Sequence, residues 1–546
     1  MPVDVFDRSQ LRDTDLHYVL TLTYGSRVLH FSTSPLYVTK ADSTVIQLRD
    51  GLTPVGWTRE IALGSSSPPL ASVPVQVLSS DVDWSLLRSS GWDPAAATAE
   101  LAQWRSGTIW ELRRVLVSGL VIEPQYGAKG EPLQFSLKAH PFTDRAMLPE
   151  ATAIVDSTTW PNFGANDEGR SYPLVFGYPG RGDGGSTRFP GSPGLLVDTQ
   201  VGNRYLLIAG HRVDATTVDV LDEANLPSGT WVSLSVTHRQ DGSGRTVATV
   251  TLEASGTGNA ADFNVDSSYV VSWGNSTNGG GLKNRRETGP MRDAGDVLEY
   301  LLNRSTLKVD RGRTAAAVEL LRGYKIDGYW DDPAGVWEWV KANLLPILPV
   351  YIQAGPDGLY PVVWRFDVLS AKESNVDVID ADRGDGTRVG FIKTASSLHG
   401  GLANEFRVAY ALDDVGRKHR RVMTVHGDPD TASTAAFVPS IACRRSRSRY
   451  SPDTPSVMDI RSDLVYDAST AAAIGHHLAL LHALPVRRVS YLCPKTYGHL
   501  RAGAPVKLTD TDVNFSNEPA LIESIEDLGD DTIKIDLAIL EGALLG

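Results

Sequence analysis

HYVLTLTY, residues 17–24, puts Tyr18, Leu20, Leu22 and Tyr24 on one side of an extended chain and His17, Thr21 and Thr23 on the other. That period of two is what a half-buried β-strand requires. Working outward, strand-like runs recur at 57–64 (WTREIALG), 113–122 (RRVLVSGLVI) and 132–139 (PLQFSLKA). Only the Ala-rich stretch PAAATAELAQW, residues 94–104, reads as a helix in this part of the chain. From about residue 171 to 290 short β-branched runs (YPLVF, RYLLIAG, TVDVL, WVSLSV, TVATVTLEA) alternate with Gly/Ser/Asp/Asn clusters. This spacing predicts a small all-β sandwich or barrel, inserted between linker-like flanks at 161–169 and 275–281.

Helical periodicity concentrates in 292–345. Val297, Leu298, Leu301 and Leu302 share a face, AAAVELLRG (315–323) continues it, and Asp293 or Asp296 is placed to cap. A third helix is predicted from Pro333 up to Pro346, followed by a hairpin turning at PDG, residues 356–358. Strands return from 385: TRVGFIKTA, NEFRVAYAL and RRVMTVHG, one helix at 468–484, then VRRVSYLCP, APVKLTD, PALIESIEDL and TIKIDLAIL. The fold class is therefore β-rich α+β and multidomain.

The 546 residues exceed what a single core organises and suit three or four domains. With 42% hydrophobic and 21% charged residues, 50 Gly and 31 Pro, the composition is that of a globular, turn-rich chain. A net charge of −13 argues against a surface built as a whole for duplex DNA. Cys443 and Cys493 lack metal-ligand spacing and read as two buried thiols. MPVDVFDRSQLRDTD has no apolar segment of a signal peptide, so the chain is expected to stay in the cytoplasm where it is made. The most apolar stretch, Val336 to Ile352, is broken by Lys341, Pro346 and Pro349, so no stable membrane insertion is expected.

Three ordered patterns resemble the tail-hub (baseplate-hub, tail-tip) proteins of long-tailed bacteriophages. They are DVLEYLLNR with AAAVELLRGYKIDGYW and VWEWVKANLLPILPVYIQAGPDGLYPV; ASSLHGGLANEFRVAYAL; and LALLHALPVRRVSYLCPKTYGHLRAGAPVKLTD. The resemblance covers roughly residues 290–540 and leaves 171–290 outside the minimal pattern. It implies two tube-like β domains, at 1–165 and 385–546, bracketing an inserted all-β domain at 166–290 and a helix-containing domain at 291–384. It also implies a homotrimer forming a pseudo-sixfold ring in the virion tail, assembled in the host cytoplasm. The implied partners are the tail tube protein, the distal tail protein, the tape-measure protein and a central fibre or spike, with DNA passing through during ejection.

No residue is assigned to catalysis, to a cofactor or to a metal. GYPGRGDGG (177–185) lacks the helix a phosphate cradle needs and reads as a surface turn, as do Arg181-Gly182-Asp183 and Arg383-Gly384-Asp385. His477 and His482 are five apart, not the four of a zinc-binding helix, and His476, His211 and His238 complete no ligand set. GxSxG and HExxH are absent. Two basic runs, Arg417 to Arg421 and Arg444, Arg445, Arg447 and Arg449, read as a solvated hairpin loop, as contacts to DNA or as contacts to an acidic protein partner, the last favoured because no aromatics interleave for base stacking. The acids between Asp510 and Asp536 could line a DNA conduit by repelling phosphates, with Asp530 and Asp531 the expected lumen-facing pair. Two rival functions remain: an adhesin binding host-surface glycan, which needs Trp231 and Trp273 exposed, and a tail-associated cell-wall hydrolase.

Overall fold

The computed structural model describes residues 16–541 apart from 54–57, 61–71, 79–81, 83, 85–95, 126–130, 140–143, 182–187, 201–203, 227–228, 253–266, 275–278, 285, 287, 356–357, 365–376, 382–389, 398–401, 428–435, 451–453, 495–496, 499 and 529–531. The chain is β-rich, as its sequence predicts. Leu16–Tyr24 lies inside a seven-stranded sheet, between Arg27–Ser32 and Thr98–Arg105, and Arg114–Gln125, Leu133–Ala139, Ser72–Val77 and Leu52–Thr53 follow in order. Tyr18, Leu20 and Leu22 point into one core with Phe31, Val75, Leu101 and Phe135. Val19 turns to a second, smaller cluster with Val38, Leu48, Ala102 and Trp104.

The predicted helix at 94–104 is instead the strand Thr98–Arg105. It pairs on one side with Leu16–Thr23 and on the other with Arg114–Leu120. Two ladders and burial of Ala99, Leu101, Ala102 and Trp104 outweigh a helix preference of at most about 0.7 kcal/mol per residue. The run at 57–64 also departs from expectation. Thr58–Glu60 leaves the first sheet and pairs with Ser524, Ile525 and Glu526 of the last one.

Ser192–Asp198, Tyr205–Ala209, Thr246–Thr251, Val232–Gln240, Thr217–Asp222 and Tyr269–Ser272 close a six-stranded barrel, which removes its sheet edges. Its interior holds Leu206, Ile208, Val218, Val250 and Trp273. Described residues within the two expected flanks are packed. The buried Asp167 carboxylate accepts from Leu196 N at 2.7 Å, and Gly281 sits so tightly that a Cβ there would run into the Val175 carbonyl. YPLVF is not a barrel strand. Leu174–Val175 pairs with Tyr329–Trp330 and anchors the barrel on the helical region.

The helices Ala294–Arg304 and Arg311–Leu320 form as predicted. Asp293 precedes the first without a capping hydrogen bond, because its carboxylate pairs with Lys325, whereas Asp310 caps the second through Arg313 N at 3.1 Å. The third helix starts at Val336, not Pro333, since Ala334–Gly335 is taken into a short ladder with Met147–Leu148. It then widens into a π turn over Val340–Leu344. Val350–Gly355 and Gly358–Val363 make the expected hairpin. A four-stranded sheet (Ala436–Pro439, Lys418–His426, Glu405–Asp413, Val457–Arg461) carries the helix Ala468–His482 and shares one core with the helical region. The last sheet runs Val378–Asp380, Pro505–Asp510, Phe515–Asp527, Thr532–Leu540, Val486–Pro494, Gly390–Ser397. Among the described residues no helix is long and apolar enough to cross a membrane. Both cysteines are buried and no disulfide joins them, and burial pushes the Cys443 thiol up to about 11.

The first and last sheets meet. Beyond the Thr58–Glu60 ladder, Tyr18 OH donates to Asp527, and Gln103 Nε2 donates to Tyr18 OH at 3.2 Å. Arg114 donates to the carbonyls of Gly498 and of Leu500, the latter at 3.4 Å.

Candidate assembly surface

CRRSRSRY is not a loop but most of the helix Ile441–Tyr450. Ser440 starts it, its Oγ accepting from Cys443 N at 3.3 Å and its carbonyl from Arg444 N at 3.0 Å. Ala442, Cys443 and Ser446 form the buried stripe. Arg444, Arg445, Ser448 and Arg449 therefore lie on the outer face and are exposed, with Arg447 half-buried. Ile441 (57% exposed) and Tyr450 (45%) add apolar area at either end. Arg447 and Arg449 in the last turn complement the carbonyl end of the helix dipole. Arg444 Nε reaches the Gly427 carbonyl at 3.1 Å, and Arg449 lies 3.8 Å from Glu541.

In the other basic run, Arg417, His419 and Arg420 each stand beside an acid. Arg420 binds Asp413, Arg417 stands 3.7 Å from Asp414, and His419 Nε2 is 3.0 Å from Asp463. Arg417 takes the tight turn with φ 46°. The turn and the basic helix sit at opposite ends of Lys418–His426, about 30 Å apart at ~3.3 Å per residue. The two runs do not form one patch. Beside this turn, burial pushes the Asp414 and Asp331 carboxyls up, and Tyr329 OH donates to Asp414.

The acids between 510 and 536 are mostly structural. Asp510 accepts from Tyr491 OH at 2.7 Å and Glu523 binds Arg488 at 2.6 Å. Glu526 and Asp536 flank Lys534 at 3.2 Å, and Glu518 lies 3.3 Å from Arg487. Asp512 remains exposed. Asp530 and Asp531 lie outside the described residues, as do Arg383-Gly384-Asp385 and Gly182-Asp183. Arg181 is described and is not at the surface. Buried, it binds Asp219 and donates to the Trp273 carbonyl at 3.0 Å.

Histidines serve the packing. Val175 N donates to His211 Nε2 at 3.0 Å and Val213 N to His238 Nε2 at 3.2 Å. Burial lowers His211 to about 4 and His477 to about 3, so both are neutral acceptors or packing groups. Among the described residues no three His, Cys, Asp or Glu side chains gather as a metal site. Trp273, which a glycan-binding face would expose, is 0% exposed, with Nε1 donating to Ser192 Oγ at 2.7 Å, and Trp231 is half-buried. Sequence reading missed the junction of the first and last sheets, because Tyr18 and Asp527 are 509 residues apart and neither stands in a motif.

No family model matches the chain and no curated protein matches it. Three solved structures align over nearly its whole length. The tail protein from Neisseria meningitidis MC58 has 9% identity and a TM-score of 0.37, with 97% of this chain and 98% of that one covered. The 43 kDa tail protein of prophage MuSo2 from Shewanella oneidensis has 11% identity and a TM-score of 0.31, covering 97% and 100%. The prophage tail protein gp18 from Listeria monocytogenes EGD-e has 8% identity and a TM-score of 0.31, covering 96% and 94%. At these scores the likenesses carry no argument of their own.

Proposed function

We propose that the chain is a structural protein of a bacteriophage tail, the hub subunit of its tip or baseplate. Three copies form a ring that joins the tail tube to the distal tip and lets DNA pass on ejection. The observation that carries this reading is the junction of the first and last sheets. One chain brings two open β-sheets together through the ladder from Thr58–Glu60 to Ser524–Glu526 and the Tyr18–Asp527 contact. Three such pairs would give six sheets around an axis, and pairing their free edges between chains removes the edges that isolated sheets expose. The ordered patterns over 290–540 support the same reading.

On this reading the work is mechanical, not enzymatic, and resides in rigid packing. The tube-like units lie within 1–165 and 385–546, centred on the first and last sheets, with 166–290 and 291–384 as the outer parts and the four-stranded sheet packed on the latter. The ring meets the tail tube protein, the distal tail protein, the tape-measure protein and a central fibre or spike, and is assembled in the host cytoplasm. Arg444, Arg445 and Arg449, with Arg447 behind them, face an acidic protein partner. Cryo-electron microscopy of tails containing this chain tests the proposal. Three copies around the axis are expected, and a single copy peripheral to the axis would overturn it.

A further inference from the structure

On the face of the helix Ala294–Arg304 opposite its core lies a pocket of about 370 Å³, lined by Asn284, Arg286, Asp296, Glu299, Tyr300 and Arg304 among others. That volume falls in the range of ~300–1,000 Å³ typical of sites for small ligands. Asp296 and Glu299 are three apart and so project from neighbouring positions of one helix face. The Asp296 side chain is only 5% exposed. Its Oδ2 accepts from Asn284 Nδ2 at 2.9 Å, but its buried Oδ1 has no hydrogen-bond partner. Among the described residues the cation paired with it, Arg286 Nη1, stops 3.7 Å away.

Arg286 is an incomplete occupant. Its Nη2 donates to Glu299 Oε1 at 2.7 Å and its backbone N to Asn284 Oδ1 at 2.9 Å, yet its side chain is 42% exposed. A buried carboxylate oxygen without a donor is costly, and a guanidinium that entered fully could satisfy Asp296 and Glu299 with its fork of N–H groups. Arg304, whose guanidinium lies 5.3 Å from the Tyr300 ring centre, adds positive charge, which disfavours a divalent ion there.

We propose that this pocket receives the arginine side chain of a partner protein, with Arg286 as the internal guanidinium that it displaces. The inference rests on the pocket alone and not on the assembly reading. The test uses the full chain and three probes, N-acetyl-arginine methylamide, its lysine counterpart and the neutral citrulline isostere, titrated calorimetrically. Arg286→Ala should bind the arginine probe saturably in the millimolar range, at least fivefold more tightly than the unaltered chain. Glu299→Gln in that background should weaken binding at least tenfold, and Asp296→Asn likewise. The Glu299 variant serves if Asp296→Asn fails to fold. Absence of saturable binding to Arg286→Ala, equal binding of the citrulline or lysine probe, or indifference to Glu299→Gln would each overturn the proposal.

Discussion

Asp331 and Asp414 show at the scale of single residues how burial sets chemistry. Both carboxyls are pushed up by desolvation, and the charge of Asp414 adds to the rise at Asp331. A carboxyl with a raised folded-state pKa binds more protons folded than unfolded, so its contribution favours the fold as pH falls through that pKa and opposes it above. Asp331→Asn should therefore stabilise the chain at pH 7, by about 0.5 kcal/mol or more, with the gain vanishing below the carboxyls' titration. Thermal unfolding across pH checks this, and a lower midpoint at neutral pH would contradict it. Trp273 makes the complementary case. Wholly buried and bonded to Ser192, it should cost about 3–5 kcal/mol when replaced by Ala, measured by denaturant unfolding. A cost near zero would mean that its burial is not what the geometry says.

At the scale of elements, the helix Ile441–Tyr450 separates stability from assembly. Arg444, Arg445 and Arg449 are exposed, so their simultaneous change to Glu should move folding stability little, by about ±0.5 kcal/mol for each site. On the proposed function it should abolish incorporation into tails, scored by the variant's presence in purified particles. Wild-type incorporation would remove this helix from the interface. The barrel invites a second experiment. Removing residues 192–272 and closing with a Gly/Ser linker takes out the barrel strands but keeps Leu174–Val175 on Tyr329–Trp330 and Phe189 stacked on Tyr466. Removing 166–290 loses both, along with Phe176 of the large core. The shorter deletion should stay soluble and the longer one aggregate. Equal solubility of both would show that the Leu174–Val175 pairing and the Phe189–Tyr466 stack are dispensable.

For the whole molecule the Tyr18–Asp527 junction decides how the first and last sheets lie together. Tyr18→Phe removes one donor to the buried Asp527 carboxylate while keeping the ring in its core, and should cost about 1–3 kcal/mol. Arg114→Ala would loosen the same junction at the Gly498 and Leu500 carbonyls. The double variant should be cut faster by protease between the two sheets and, on the proposed function, should fail to form rings. Unchanged proteolysis would show that the ladder at Thr58–Glu60 suffices.

Alternation of apolar and polar side chains was enough to place Leu16–Tyr24, Arg114–Gln125 and Thr532–Leu540, because a strand with one buried face must repeat every two residues. Helical periodicity likewise located Ala294–Arg304 and Ala468–His482, and the lack of ligand spacing marked Cys443 and Cys493 as plain buried thiols. Only tertiary structure made Thr98–Arg105 a strand, since its ladders come from segments far away in sequence and outweigh a weak local preference. Only tertiary structure turned the basic run at 441–450 into a helix with a buried Ala442, Cys443 and Ser446 stripe, and set most of the acids of 510–536 to internal pairing. The meeting of Tyr18 with Asp527, and of Thr58–Glu60 with the last sheet, is a property of the closed chain. A residue's type and spacing record which face it must bury, whereas the partner it buries against is chosen by long-range packing, which leaves no local period to read.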